Sequence, residues 1–158
     1  MNDPITYFIT WTTYGTWLPG DARGWRKTRK GVQPPQPLLE AWCRDRMTEN
    51  PVLLNETQRA KIEAVCREHA QVCGWILHAV SARSNHVHLA VTTDRKPQIV
   101  RDQCKANATR VLHQAPDAIT NDKVWTRGGD CDIVDGEDEL ERAVEYILEA
   151  QDRMDRGK

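Results

Sequence analysis

Strand and helix signals alternate along this chain in an order that predicts an α+β sandwich. Three observations carry that reading. Residues 7–13 (YFITWTT) are rich in aromatic and β-branched residues and alternate apolar with polar. Residues 75–81 (WILHAVS) and 86–92 (HVHLAVT) have the same character and are joined by only four residues, ARSN, a hairpin-length connection. Segments with helical apolar spacing lie between and after these strands, so helices must pack against the sheet that the strands form.

The elements follow in order. The first strand runs into Gly15 and the turn-rich stretch WLPGDARGW. A basic loop occupies about residues 15–37, with Arg23, Arg26, Lys27, Arg29 and Lys30 on it, Trp17 and Trp25 interleaved, and Pro34, Pro35 and Pro37 closing it. It shows no buried periodicity. A short helix is expected between Leu38 and Met47. Asn55 reads as a helix cap with Gln58 as its capping-box partner. Behind it, Ile62, Val65, Cys66, His69, Val72 and Cys73 fall on one helical face, and Gly74 supplies the stop. His69 on that face reads as a core or boundary residue.

After the hairpin, Pro97 marks the start of a second long helix, with Ile99, Val100, Cys104, Ala108, Val111 and Leu112 as its stripe. KVWTRGGDCDIV reads as a broken or bulged strand. DGEDEL then opens a last helix, where acidic residues in the first turn suit the macrodipole, and the helix is expected to run to about Arg153. Strand, basic loop, helix, hairpin, helix, strand, helix is the order of a ferredoxin-like sandwich with an antiparallel sheet.

Composition sets the bounds. A chain of 158 residues is about one domain in size, and one domain over 1–158 is expected. Charged residues make up 28% and hydrophobic ones 39%, ordinary values for a soluble protein. No apolar run approaches the roughly 20 residues of a membrane span, and the polar opening MNDPITYF does not resemble a signal peptide. A cytoplasmic location without a membrane partner is therefore expected. The five cysteines (Cys43, Cys66, Cys73, Cys104, Cys131) contain no CxxC pair and read as reduced, mostly buried thiols. Net charge is −1, a sum that conceals the basic segment.

Three features could carry chemistry. In a strand, residues two apart face the same way, so His86 and His88 project together while Val87, Leu89 and Val91 point into the core. Two imidazoles so placed can hold one cation; the plainer alternative is that they mark a solvated face. On the last helix, Leu140, Ala143, Val144, Ile147 and Leu148 define the buried stripe, and Tyr146 falls on its flank, facing a substrate or packing at the core edge. The basic loop with its tryptophans suits unpaired nucleic acid, because cations bind phosphates and rings stack on bases. Arg83, Lys105 and Arg127 extend that patch if the fold gathers them.

These residues resemble a known family. SNHVHLAV at 84–91 resembles the motif of histidine, bulky hydrophobic residue, histidine in the HUH-type single-tyrosine transposases. YFITWTTYGTWLPG resembles the first strand of the branch that includes REP-associated tyrosine transposases. VWTRGG at 124–129 and AVEYILEAQ at 143–151 match the segment before their last strand and their nucleophile helix. The resemblance implies a catalytic tyrosine on the last helix, which by position is Tyr146. It also implies a divalent cation, Mg2+ or Mn2+, on His86 and His88, and cleavage and strand transfer of single-stranded DNA near a hairpin through a 5′-phosphotyrosine.

In that family a polar residue four positions after the tyrosine completes the metal site. Here it is Ala150, flanked by Glu149 and Gln151, either of which could substitute. Glu149 has the better helical geometry, and Gln151 the better chemistry if a π-bulge brings it round. The departure also leaves open a domesticated, non-catalytic protein that binds structured DNA. In some relatives the tyrosine helix docks on a partner subunit, so a homodimer and a monomer both suit the sequence.

Overall fold

The computed structural model describes residues 3–27, 29–114 and 116–149. Its elements are β1 (Ile5–Thr12), β2 (Trp25–Lys27), β3 (Gly31–Gln33), α1 (Pro37–Asp45), α2 (Glu56–Cys73), β4 (Ile76–Ala82), β5 (His86–Thr93), α3 (Pro97–Leu112), β6 (Asp130–Ile133) and α4 (Glu137–Glu149). The main sheet has the order β4-β5-β1-β6, with every neighbouring pair antiparallel. β1 and β4 therefore run parallel with β5 between them, which is the split β-α-β arrangement expected of a ferredoxin-like sandwich.

The two faces of the sheet are covered differently. Ile9, Trp11, Val87, Leu89 and Val91 pack with Ile62 and Cys66 of α2 and with Val100, Cys104, Ala108 and Leu112 of α3. On the opposite face Ala79 and Ala90 meet Ile147 of α4, with Phe8, Leu140 and Val144 around them. β5 is central and covered on both sides, so nearly all of it is buried. An apolar run would suit such a strand. The two histidines in it are the exception that the fold has to accommodate.

The helix signals translate into the expected contacts. The capping box of α2 is complete: the Gln58 amide donates to Asn55 Oδ1 at 2.8 Å, and the Asn55 amide donates to Gln58 Oε1 at 2.9 Å. Gly74 ends the helix in the left-handed region at φ 73°, where a Cβ would be unfavourable. The apolar face is shorter than its spacing suggests. Val72 lies about 80° round the helix from Ile62, Cys73 closes the last turn, and both are exposed, while Ala70 is buried instead. Ile99 of α3 and Leu148 of α4 are likewise exposed. Only Cys66 and Cys104 of the five thiols are buried; Cys43 and Cys131 are half-buried and Cys73 is exposed. A hydrogen bond with Cys104, together with burial, pushes the Cys66 thiol well up, which keeps it protonated.

The basic segment is not only loop. β2 and β3 form a separate hairpin, with Trp25 opposite Gln33, turned by Arg29 at φ 67° and Gly31 at φ 75°. Apart from the partly covered Trp25 and Gln33, its strand residues are exposed, so no inside–outside alternation marks it in the sequence. The broken strand near residue 130 is real: Thr13 and Trp125 make an isolated bridge before β6 begins. Gly129 between them has φ 148°, and a Cβ there would lie 2.6 Å from the Thr10 carbonyl oxygen. The last helix is described to Glu149; Arg153 and Gln151 lie outside the described residues. Among the described residues no helix is long and apolar enough to cross a membrane.

Asn55→Ala removes the side-chain half of the capping box and the bond from Asn55 Nδ2 to Asp117 at 3.1 Å. A loss of about 1 kcal/mol is expected, read as a fall of roughly 2–4 °C in Tm by circular dichroism.

Candidate functional site

The register of β5 fixes the site. His86 lies opposite Thr12, and His88 lies between Thr10 of β1 and Ser81 of β4. Alternation then sends both imidazoles to the face opposite Val87 and Leu89, beneath α4. The rings are 1% and 0% exposed by residue, with centroids 4.9 Å apart and planes at 81°. They mark a covered face, not a solvated one. His86 Nδ1 lies 2.9 Å from Asn85 Oδ1, and Asn85 is itself fully buried.

Tyr146 comes to the same place from above. Ile147 is the anchor of α4, buried against Ala79 and Ala90. One residue earlier, Tyr146 stands on the flank of the stripe, and that flank faces the histidines. Its ring centroid is 5.7 Å from that of His88, edge to face at 75°, and 6.0 Å from Phe8. The residue remains 40% exposed, so the phenol sits at the boundary between the buried imidazoles and solvent. All of this happens within one chain.

Arg83 holds the helix there. It lies in the β4–β5 connection, and its Nη2 donates to the carbonyls of Ile147 at 3.4 Å and Leu148 at 3.3 Å. These bonds tether α4 to the β4–β5 connection. The sequence offered Arg83 as an extension of the basic patch; the structure gives it this anchoring contact.

Two imidazole nitrogens can supply part of the shell of a divalent ion, and Mg2+ or Mn2+ would need oxygen donors for the rest. Among the described residues no group of three or more His, Cys, Asp or Glu side chains could hold a metal ion. Glu149 is exposed in the last described turn of α4. Gln151, the other candidate, lies outside the described residues.

A groove of about 900 Å³ runs along β1, the strand paired with the one that carries the histidines, and neither histidine lines it. Its floor is the same face of β1, through Phe8, Thr10 and Thr12, and its walls carry Trp17, Trp25 and the cations Arg23, Arg26, Lys27, Arg29 and Arg127. Lys30 is exposed at the turn of the hairpin and does not line it. The cations differ in their commitments. Arg26 makes an exposed ion pair with Asp130 at 3.4 Å. Arg23 is tied down: Nε and Nη2 donate to the two Asp21 oxygens at 2.8 and 2.7 Å, Nη2 also reaches the Thr16 carbonyl, and the guanidinium lies 4.1 Å from the Trp17 ring centroid. Burial raises the Asp21 pKa, but the Arg23 side-chain and backbone bonds outweigh it and hold the carboxyl below its ordinary range.

Lys105 stands behind the groove, not in it. Its Nζ donates to the carbonyls of Thr126 and Gly128, and burial followed by the Arg101 charge lowers its pKa. It thus staples the loop that presents Arg127. Sequence reasoning named the histidines, the tyrosine and the cations, but not Asn85 or Phe8. Asn85 adjoins His86 in the sequence, the one cue available for it; nothing distinguished Phe8 from other strand residues.

The fold thus brings together a ferredoxin-like sheet, a covered histidine pair, a tyrosine above it and a basic groove alongside. The model of the family described as "Transposase IS200 like" matches residues 46–150, well over half of the chain, and the protein belongs to that family. The match excludes β1 and the basic hairpin. Among solved structures, the chain is similar to a REP-associated tyrosine transposase bound to a REP hairpin, with a TM-score of 0.54 at 13% identity over 92% of this chain. It spans 65% of that protein's length. No curated protein matches the sequence.

Two outcomes are expected. Arg83→Met should leave the fold intact yet speed amide exchange around Ile147 and Leu148 of α4 by at least several-fold, measured by hydrogen–deuterium exchange. Asp21 has a depressed folded pKa, so its contribution is complete above the ordinary aspartate value and disappears as pH falls through the lowered one. The stability gap between wild type and Asp21→Asn, from urea unfolding, should be constant near neutrality and shrink in acid below that ordinary value.

Proposed function

We propose that this protein cuts and rejoins single-stranded DNA beside a hairpin, with Tyr146 as nucleophile and His86 and His88 holding a Mg2+ or Mn2+ ion. The observation that carries the reading is the convergence of the Tyr146 ring, 5.7 Å from His88, on a histidine pair whose rings are 4.9 Å apart. Membership of a transposase family supports it, as does the fold shared with a protein bound to a REP hairpin.

The residues divide the work. The basic groove binds an unpaired strand through its phosphates, while Trp17 and Trp25 offer rings for base stacking. Phe8 packs against both His88 and Tyr146, which limits the paths the phenol can take. Tyr146 loses its proton as its oxygen bonds to phosphorus, and the 3′-oxygen departs and takes up a proton. The phosphoryl group is left on Tyr146 as a 5′-phosphotyrosine, so a free 3′-hydroxyl can reverse the step without any input of energy. A divalent ion on the two imidazoles would polarise the phosphate and offset its developing charge.

The test uses a labelled single strand carrying a hairpin, with Mn2+ present. Wild type should give a covalent protein–DNA adduct, and Tyr146→Phe should give none while binding the DNA within about threefold of wild type. His86→Ala should reduce cleavage by two or more orders of magnitude. Binding should weaken steeply with salt, in proportion to the phosphates contacted. If wild type binds tightly but forms no adduct, the protein is a structure-specific binder and the catalytic reading is wrong.

A further inference from the structure

We infer that Asn85 is a positioning residue that fixes His86 as the tautomer protonated on Nδ1, the form whose Nε2 carries the lone pair that a cation requires. The metal role of His86 rests on the function proposed above; the tautomer assignment rests only on the hydrogen bond.

Donor chemistry sets the tautomer. An amide carbonyl oxygen can only accept, so the 2.9 Å contact between Asn85 Oδ1 and His86 Nδ1 requires a hydrogen on Nδ1. A neutral imidazole carries one hydrogen. With it on Nδ1, Nε2 has the in-plane lone pair that a metal ion needs. A second-layer oxygen on the remote ring nitrogen is the usual means of orienting a metal-binding histidine, and it also raises the basicity of the ligating nitrogen.

The backbone around Asn85 is built to hold that oxygen still. The Asn85 carbonyl accepts from the Thr13 amide at 2.9 Å and from Thr13 Oγ1 at 3.3 Å. On either side, the Ser84 carbonyl accepts from Leu54 at 2.8 Å, and the Arg83 amide donates to the His86 carbonyl at 2.7 Å. Thr13 and Asn85 are both 0% exposed. The connection is therefore fastened to β1 and to the segment before α2.

Stability alone does not account for an asparagine here. Its Nδ2 is buried and makes no hydrogen bond among the described residues, a cost that an apolar side chain of the same shape would avoid. What Asn85 supplies that leucine would not is the acceptor for His86. Aspartate would supply it too.

The test reads the tautomer directly. Long-range 1H–15N correlation spectra of the metal-free protein, at a pH where the imidazoles are neutral, should show His86 protonated on Nδ1 in wild type and in Asn85→Asp. In Asn85→Leu the proton should redistribute toward Nε2. Mn2+ affinity, from electron paramagnetic resonance of the free ion, should fall about 10- to 100-fold in Asn85→Leu and stay within a few-fold in Asn85→Asp. The inference is overturned if wild-type His86 carries its proton on Nε2, or if a folded Asn85→Leu keeps the wild-type tautomer. Should Asn85→Leu fail to fold, the wild-type and Asn85→Asp spectra decide the matter alone. A wild type with the expected tautomer but no Mn2+ binding would uphold the hydrogen-bond assignment and remove the metal from the proposed function.

Discussion

The alternation of side chains along β5 is the constraint on which the rest of this structure depends. Val87, Leu89 and Val91 must enter the core beneath α2 and α3, and a pleated strand then has no choice about His86 and His88. A slip of one residue would bury the imidazoles among aliphatic side chains and turn three apolar residues toward α4. The large apolar core therefore fixes the site's orientation, although it contributes no atom to the site. Covering the second face with α4 removes the histidines from bulk water and brings a phenol beside them.

Charge in this protein is organised locally. A chain with net charge −1 still gathers five cationic side chains along one groove next to the histidine face. Cations are also used for construction: Lys105 holds a loop, Arg83 holds α4 at Ile147 and Leu148, and Arg23, though on the groove, is clamped to Asp21. These fixed cations locate the elements that carry the site, while the more exposed Arg26, Lys27 and Arg29 remain at the groove surface. The connection from Arg83 to Asn85 joins both tasks in three residues, gripping the tyrosine helix at one end and a histidine ring at the other.

Much of this was legible in the sequence because the responsible physics is local or periodic. The capping box at Asn55, the stop at Gly74, the hairpin of β4 and β5 and the shared direction of His86 and His88 all follow from neighbours a few residues apart. The β2–β3 hairpin was not legible, since its mostly exposed strand residues carry no apolar alternation. The exposure of Val72 and Cys73 was not either, because a helix can keep its spacing after its packing partner has ended. The distribution of Lys105 and Arg83 away from the groove depends on contacts across more than 20 and 60 residues respectively, which no local pattern encodes. The flank position of Tyr146 could be computed from helical geometry, but which way that flank faced required the packing of Ile147.

On the proposed function, the phenol and the imidazole pair share one cation-binding cleft. Fluorine NMR of protein labelled with 3-fluorotyrosine tests it most directly, since the chain has only three tyrosines. Titration with Mn2+ should broaden the Tyr146 resonance first and most strongly, ahead of Tyr7, whose side chain belongs to the core on the other face, and ahead of Tyr14. Saturating Mn2+ that leaves the Tyr146 line sharp, or that broadens Tyr14 in its place, would contradict the account.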